Sequence, residues 1–138
     1  MTDTGFVAKD PGRGGLVSSL ADMIALVKSL MPGGTTLLKP QTIDLMRTNQ
    51  LAAGHCIRFA RRGDIRGKGF GLGCAVTLKP STIEPQGSAG EIEWGGIAGT
   101  HWWIVPGGKF AGIDMTQRQT GFWHPFAFEF KRLAYAAA

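Results

Sequence analysis

Cysteine is scarce in this chain: Cys56 and Cys74 are the only two among 138 residues. Two thiols cannot build a disulfide framework or a zinc ribbon, so both read as free, buried or half-buried side chains. Charge is sparse as well. Only 18% of residues are charged, which excludes a disordered acidic or basic tail. Apolar runs are short, as at Trp102–Val105, and none approaches the ~20 residues that cross a bilayer, so no membrane association is expected. Met1–Asp10 has neither the basic start nor the apolar stretch of a secretory leader, which points to the cytoplasm. Histidines are few and scattered, at His55, His101 and His124. With no His-x-x-x-His spacing and no four-ligand Cys/His cluster, no metal is expected. A Gly-x-x-x-x-Gly-Lys phosphate loop is also missing, and no cofactor is implied.

What the chain has in quantity is glycine, 21 residues, and a net charge of +5. The basic residues gather at Arg58, Arg61, Arg62, Arg66 and Lys68. Such a run can contact phosphates. Only Phe59 and Phe70 accompany it, and no nucleic-acid-binding motif surrounds it, so it reads as a solvated loop with no nucleic-acid partner.

Along the chain, Met1–Gly15 reads as an extended or loop segment. A helix follows. Ser18 or Ser19 can cap it, with Asp22 completing a capping box from Ser19. Leu20, Ile24, Val27 and Met31 recur at helical spacing as one apolar stripe, and Pro32-Gly33-Gly34 stops the helix. A second helix is predicted from Pro40 to about Gln50, with Ile43, Leu45 and Met46 on its buried side. Leu51–Gly69 shows no period and reads as a long surface loop or irregular hairpin. From Phe70 the pattern alternates: Phe70, Leu72, Cys74 and Val76 against Gly71, Gly73, Ala75 and Thr77. That predicts a strand with one bare face open to close approach. A turn region at Lys79–Ala89 precedes three more strands, Glu91–Gly95, Thr100–Val105 and Phe110–Gln117, the last two joined at Pro106-Gly107-Gly108. Short links imply antiparallel pairing. A terminal helix over about Gly121–Ala136 carries Phe122, Phe126, Phe130, Leu133 and Ala137 on one stripe, expected to dock on the sheet. The predicted fold is α+β: an antiparallel sheet of about four strands, a C-terminal helix and two N-terminal helices, in one domain over residues 1–138.

No complete catalytic set is spelled out. None of Ser18, Ser19, Ser29, Ser81 or Ser88 has Lys three residues later, and Ser88 lacks the glycine two residues before it that a nucleophile elbow needs. Ser88, His101 and Asp114 fall on or near adjacent strands, which makes a makeshift catalytic triad conceivable. The plainer readings are a turn hydroxyl, a sheet side chain and a sheet-edge charge. The most distinctive stretch is Glu93-Trp94-Gly95-Gly96-Ile97-Ala98-Gly99-Thr100-His101-Trp102-Trp103. Read from composition alone it is a glycine-rich hairpin with aromatic core residues.

Gly87–Pro106, which contains that stretch, resembles the third-motif region of serine β-lactamase-related hydrolases. More narrowly, it resembles the class C β-lactamase-like esterases called family VIII carboxylesterases, whose Trp-Gly-Gly stands where class C β-lactamases carry Lys-Thr-Gly. Gly14–Asp22 is similar to the family's glycine-rich approach to a helix, Gly67–Gly73 to the strand before the third motif, Met115-Thr116-Gln117 to the end of the next strand, and Phe122–Tyr135 to the terminal helix. The resemblance implies a partial β-lactamase/penicillin-binding-protein-like fold. It also implies hydrolysis of short-chain carboxylic esters, or weakly of β-lactams. By the same resemblance Trp94, Gly95, Gly96 and Ile97 form the substrate-binding edge, with the Ile97 amide as an oxyanion donor and the glycines letting substrate approach the backbone. The family's Ser-x-x-Lys and Tyr-x-Asn or Tyr-x-Ser motifs are not here, and the only tyrosine is Tyr135. The chain therefore reads as the C-terminal portion of a larger hydrolase domain. The alternative is a catalytically incomplete fragment or interaction piece, and an uncovered sheet edge would favour homo-oligomers.

Overall fold

The computed structural model describes residues 17–35, 37–60, 62–119 and 121–138. The loop expected at Met1–Gly15 lies outside them, as do Arg61 and the Phe122 side chain. Two helices come first, α1 (Leu20–Ser29) and α2 (Pro40–Arg47). Seven strands follow: β1 (Ile57–Phe59), β2 (Gly63–Ile65), β3 (Lys68–Phe70), β4 (Ala75–Thr77), β5 (Ile92–Gly95), β6 (Thr100–Ile104) and β7 (Ala111–Met115). The last element is α3 (Pro125–Ala136). β1 and β2 form a separate hairpin, and β3 to β7 form a five-stranded antiparallel sheet in sequence order. The α+β expectation holds, with one more strand in the main sheet than predicted.

The caps behave as the sequence suggests. The Ser19 hydroxyl accepts from the Asp22 amide at 3.2 Å while the Asp22 carboxylate accepts from the Ser19 amide at 3.4 Å, satisfying two free donors at the start of α1. Pro40 and Pro125 occupy first-turn positions where no amide is needed. The His124 ring accepts from the Phe126 amide at 3.2 Å and caps α3.

Three expectations change. The alternating segment from Phe70 is not one strand: β3 ends at Phe70, the chain reverses, and β4 begins at Ala75. Gly73 has φ +82 there, a left-handed conformation that turns the chain, and the Gly71 amide donates to the Cys74 carbonyl. The bare face does admit a close neighbour, since a Cβ on Gly71 would lie 1.8 Å from the Met46 carbonyl oxygen of α2. Of the two readings of Leu51–Gly69, loop or irregular hairpin, the hairpin is what forms, as β1–β2 with Ile57 opposite Ile65, and the segment also holds the start of the main sheet. The α1 stripe is buried only toward its end: Val27 and Leu30 are buried, whereas Leu20 and Ile24 are exposed. The terminal helix docks by a face other than the predicted one. Phe126 and Leu133 are over half exposed, and the buried side chains of α3 are Ala127 and Lys131.

The sheet has two unlike faces. On one, Cys74, Val76, Ile92 and Ile104 pack with Val27 and Leu30 of the α1 region, and Met46 of α2, Trp94, Trp102, Ala111 and Ile113 border them. On the other, Glu93, Trp103 and Gly112 lie in one cross-strand row and Gly95, His101 and Asp114 in the next. That face receives α3. Trp103 lies flat over Gly112, where any Cβ would fall 2.0 Å from its ring, and Phe130 covers it edge-on at 5.6 Å.

Candidate active-site cavity

A cavity of about 440 Å³ opens between the β1–β2 hairpin, the polar face of the sheet and α3. β4 pairs with β5 only at Ala75–Glu93 and Val76–Ile92. On its β4 side the Trp94–Gly95 end of β5 is thus left unpaired, although β6 still pairs with its other side, and Trp94 and Gly95 join the cavity wall there. Phe59 of β1 stacks on Trp94 at 6.3 Å and meets Trp123 edge-on at 4.9 Å, so aromatic rings frame the space. Gly96 and Ile97 do not line it. They sit in the β5–β6 turn, where the Gly96 amide donates to the Thr100 carbonyl and Ile97 is exposed.

The floor is a network of buried charges. Lys68 ion-pairs with Glu84 and, at 2.5 Å, with Glu93, and it donates to the Thr77 hydroxyl at 2.6 Å. Lys131 of α3 ion-pairs with Glu91 and, at 2.7 Å, with Glu93. Tyr135 donates to Glu91 at 2.5 Å, and His101 meets Glu93 at 3.2 Å. Glu91 is wholly buried and Lys131 nearly so. Such charges persist out of water only when paired and hydrogen-bonded.

The pairing sets the acidities. Burial opposes ionisation of Glu93, yet His101, Lys131 and Lys68 hold its carboxyl well below the usual range. Glu84 is also lowered, because Lys68 and the Ser81 donors outweigh burial. Glu91 goes the other way: burial, with Glu93 adding repulsion, pushes it up to about 7 against the pull of Lys131. The Lys131 ammonium is raised, its two carboxylates overcoming desolvation. Burial raises the Cys74 thiol to about 11, which leaves it unreactive.

The makeshift triad is not assembled. His101 and Asp114 are direct cross-strand partners, and burial raises the Asp114 carboxyl while the His101 charge opposes it. Ser88 stands apart. It belongs to a 3₁₀ turn (Gln86–Ser88) that leads into β5 at the Ile92 end, whereas His101 lies opposite Gly95 at the other end. Its side chain is fully buried and its hydroxyl has no partner among the described residues. Sequence proximity to adjacent strands suggested the grouping, and the register undoes it. Among the described residues, the serine on the cavity wall is Ser81, whose hydroxyl donates to Glu84 at 2.8 Å.

Lys68, Glu84, Glu91, Glu93, Lys131 and Tyr135 were not singled out together from the sequence. Two signals could have found the three glutamates among them. Glu91 and Glu93 are two apart on a strand and so share a face, and Ser81–Glu84 has capping-box spacing. No group of His, Cys, Asp and Glu among the described residues is arranged to hold a metal ion. None of their helices is long and apolar enough to cross a membrane.

The β-lactamase family profile matches residues 2–136. The chain belongs to the β-lactamase family. Its mixed helices and antiparallel sheet form a partial β-lactamase fold, and family membership makes it a serine hydrolase relative. Its structure is similar to that of EstCE1, a hydrolase with promiscuous acyltransferase activity, at 28% identity and a TM-score of 0.63. The similarity covers 83% of this chain and 29% of EstCE1, so the family member described here spans less than a third of that hydrolase. No curated protein matches the chain.

Proposed function

We propose that this protein serves hydrolysis of short-chain carboxylic esters, and more weakly of β-lactams, with the cavity beside Trp94 and Gly95 as the substrate pocket. The observation that carries the reading is the position of those two residues: they border a hollow of about 440 Å³, large enough for a small ester. Trp94 packs against the acyl or alcohol group. Gly95 lets the carbonyl approach the backbone, while Gly96 and Ile97 lie in the turn outside the lining and are assigned no role in this pocket.

Two observations favour the second reading, a binding piece without its own nucleophile. Ser88 is sealed from solvent, and Ser81 is bonded to a carboxylate that Lys68 makes a weak base. A fluorophosphonate label and a nitrophenyl acetate assay separate the two. The hydrolase reading expects cleavage and a covalent adduct that one of Ser81→Ala or Ser88→Ala abolishes. No adduct and no cleavage above buffer would leave the binding piece. We also propose self-association through the β7 edge, which no other strand pairs with among the described residues and where Met115 is exposed. A concentration-independent monomer in sedimentation would refute it.

A further inference from the structure

The charges lining the cavity are unevenly matched. Its acids, Glu84 and Glu93, are both ion-paired with Lys68, and Glu93 also with Lys131. Two cations remain. Arg62 and Arg66, at either end of the β2 strand, line the cavity from its exposed side, and neither has a carboxylate partner among the described residues. Their neighbour Arg58 faces Asp64 across the hairpin at 3.8 Å and is not part of the lining. Arg62 is also preorganised. Its guanidinium carbon lies 4.9 Å from the Trp123 ring centroid, a cation–π contact that restrains the side chain at the cavity rim.

The rest of the wall is apolar: Ile57, Phe59, Ile65, Ile83, Trp123 and Phe128. A second hollow continues past Ile83, Trp123 and Phe128. Its own cation, Arg132, is matched by Glu129 at 2.6 Å. The unmatched charge therefore sits at one place, beside a long apolar surface.

We propose that the cavity selects ligands with an apolar, aryl-sized body and a single anionic group, the anion held by Arg62 and Arg66 and the body against Phe59, Trp123 and Phe128. This specifies the substrate class and rests on the cavity being the substrate pocket. A carboxylate gains two guanidinium donors there, one of them restrained by Trp123, a neutral ligand gains only the apolar contact, and an ammonium meets repulsion.

The test is binding of three probes of one shape, phenylbutyrate, phenylbutanol and phenylbutylamine, followed by tryptophan fluorescence and calorimetry at low salt. Phenylbutyrate is expected to bind about tenfold tighter than the alcohol, with the amine weakest. Arg62→Gln with Arg66→Gln should bring acid and alcohol within about twofold of each other, and Arg58→Gln should leave the preference intact. The arginines tested are exposed, so loss of folding does not confuse the result. Equal binding of acid and alcohol, no binding of any probe, or a preference that survives the double substitution would overturn the proposal. Turnover is not the readout. A chain that selects the acid and cleaves no ester keeps this inference and removes the hydrolase reading, and cleavage without selection does the reverse.

Discussion

The two faces of the five-stranded sheet are held by different physics. Toward α1 and α2 the contact is apolar, made by Val27, Leu30, Val76, Ile92 and Ile104. Toward α3 the buried contact runs through Lys131, Glu91, Glu93 and Tyr135, with Lys68 and Glu84 extending it under the cavity. Burial on the first face scales with area, tolerates similar shapes and ignores pH. The second face is intolerant. Each charge there depends on its partners, because a lone buried charge carries its full desolvation penalty. The cavity lies on the second face, so its floor consists of prepaired charges rather than loosely packed side chains.

Single substitutions should separate the faces. Lys131→Met strands Glu91 and leaves Glu93 only Lys68 and His101, and it should cost about 3–5 kcal/mol in urea unfolding, and adding Glu91→Gln should recover part of it. If Lys131→Met were neutral, the ionic description of the second face would fail. On the first face Ile92→Ala leaves a cavity and should cost about 2–4 kcal/mol, by a similar amount at acid and neutral pH.

Acidity gives the next largest contrast. Glu91 has a folded pKa of about 7 against an ordinary 4.5. Between those values the folded state binds more protons than the unfolded, so stability should fall as pH rises through that window. Glu84 and Glu93 have lowered folded values. Their contribution is present above the ordinary range and is lost below it, as pH drops through the folded values. Glu91→Gln should flatten the upper window and leave the acid limb. Unfolding curves against pH for both proteins read this directly. The smallest effect should come from the solvent side of α3, where Phe126→Ser changes stability by less than about 0.5 kcal/mol.

The apolar face was legible in the sequence because it follows periodicity: Val27, Cys74 and Val76 stood in the expected stripes. Periodicity failed where partners, not pattern, decide burial. Phe126 and Leu133 of the α3 stripe have the spacing of a docking face yet stay exposed, and only Phe130 of that stripe reaches Trp103, because the sheet beneath offers carboxylates and Lys131 turns inward to meet them. No local rule announces that a lysine among aromatics will pair with glutamates 38 and 40 positions away. The β3–β4 reversal hid for a similar reason, since alternation across a tight turn looks like alternation along a strand. The Trp94–Gly95 wall was visible as a motif, but its cavity depends on the β1–β2 hairpin, whose basic residues read as a solvated loop.

The most direct test of the substrate-pocket claim is kcat/KM for a nitrophenyl ester in the wild-type chain and in Trp94→Ala, with folding of both checked by circular dichroism. The pocket account predicts measurable turnover and a loss of about tenfold on truncating the tryptophan. Turnover that is unchanged in the variant would contradict it.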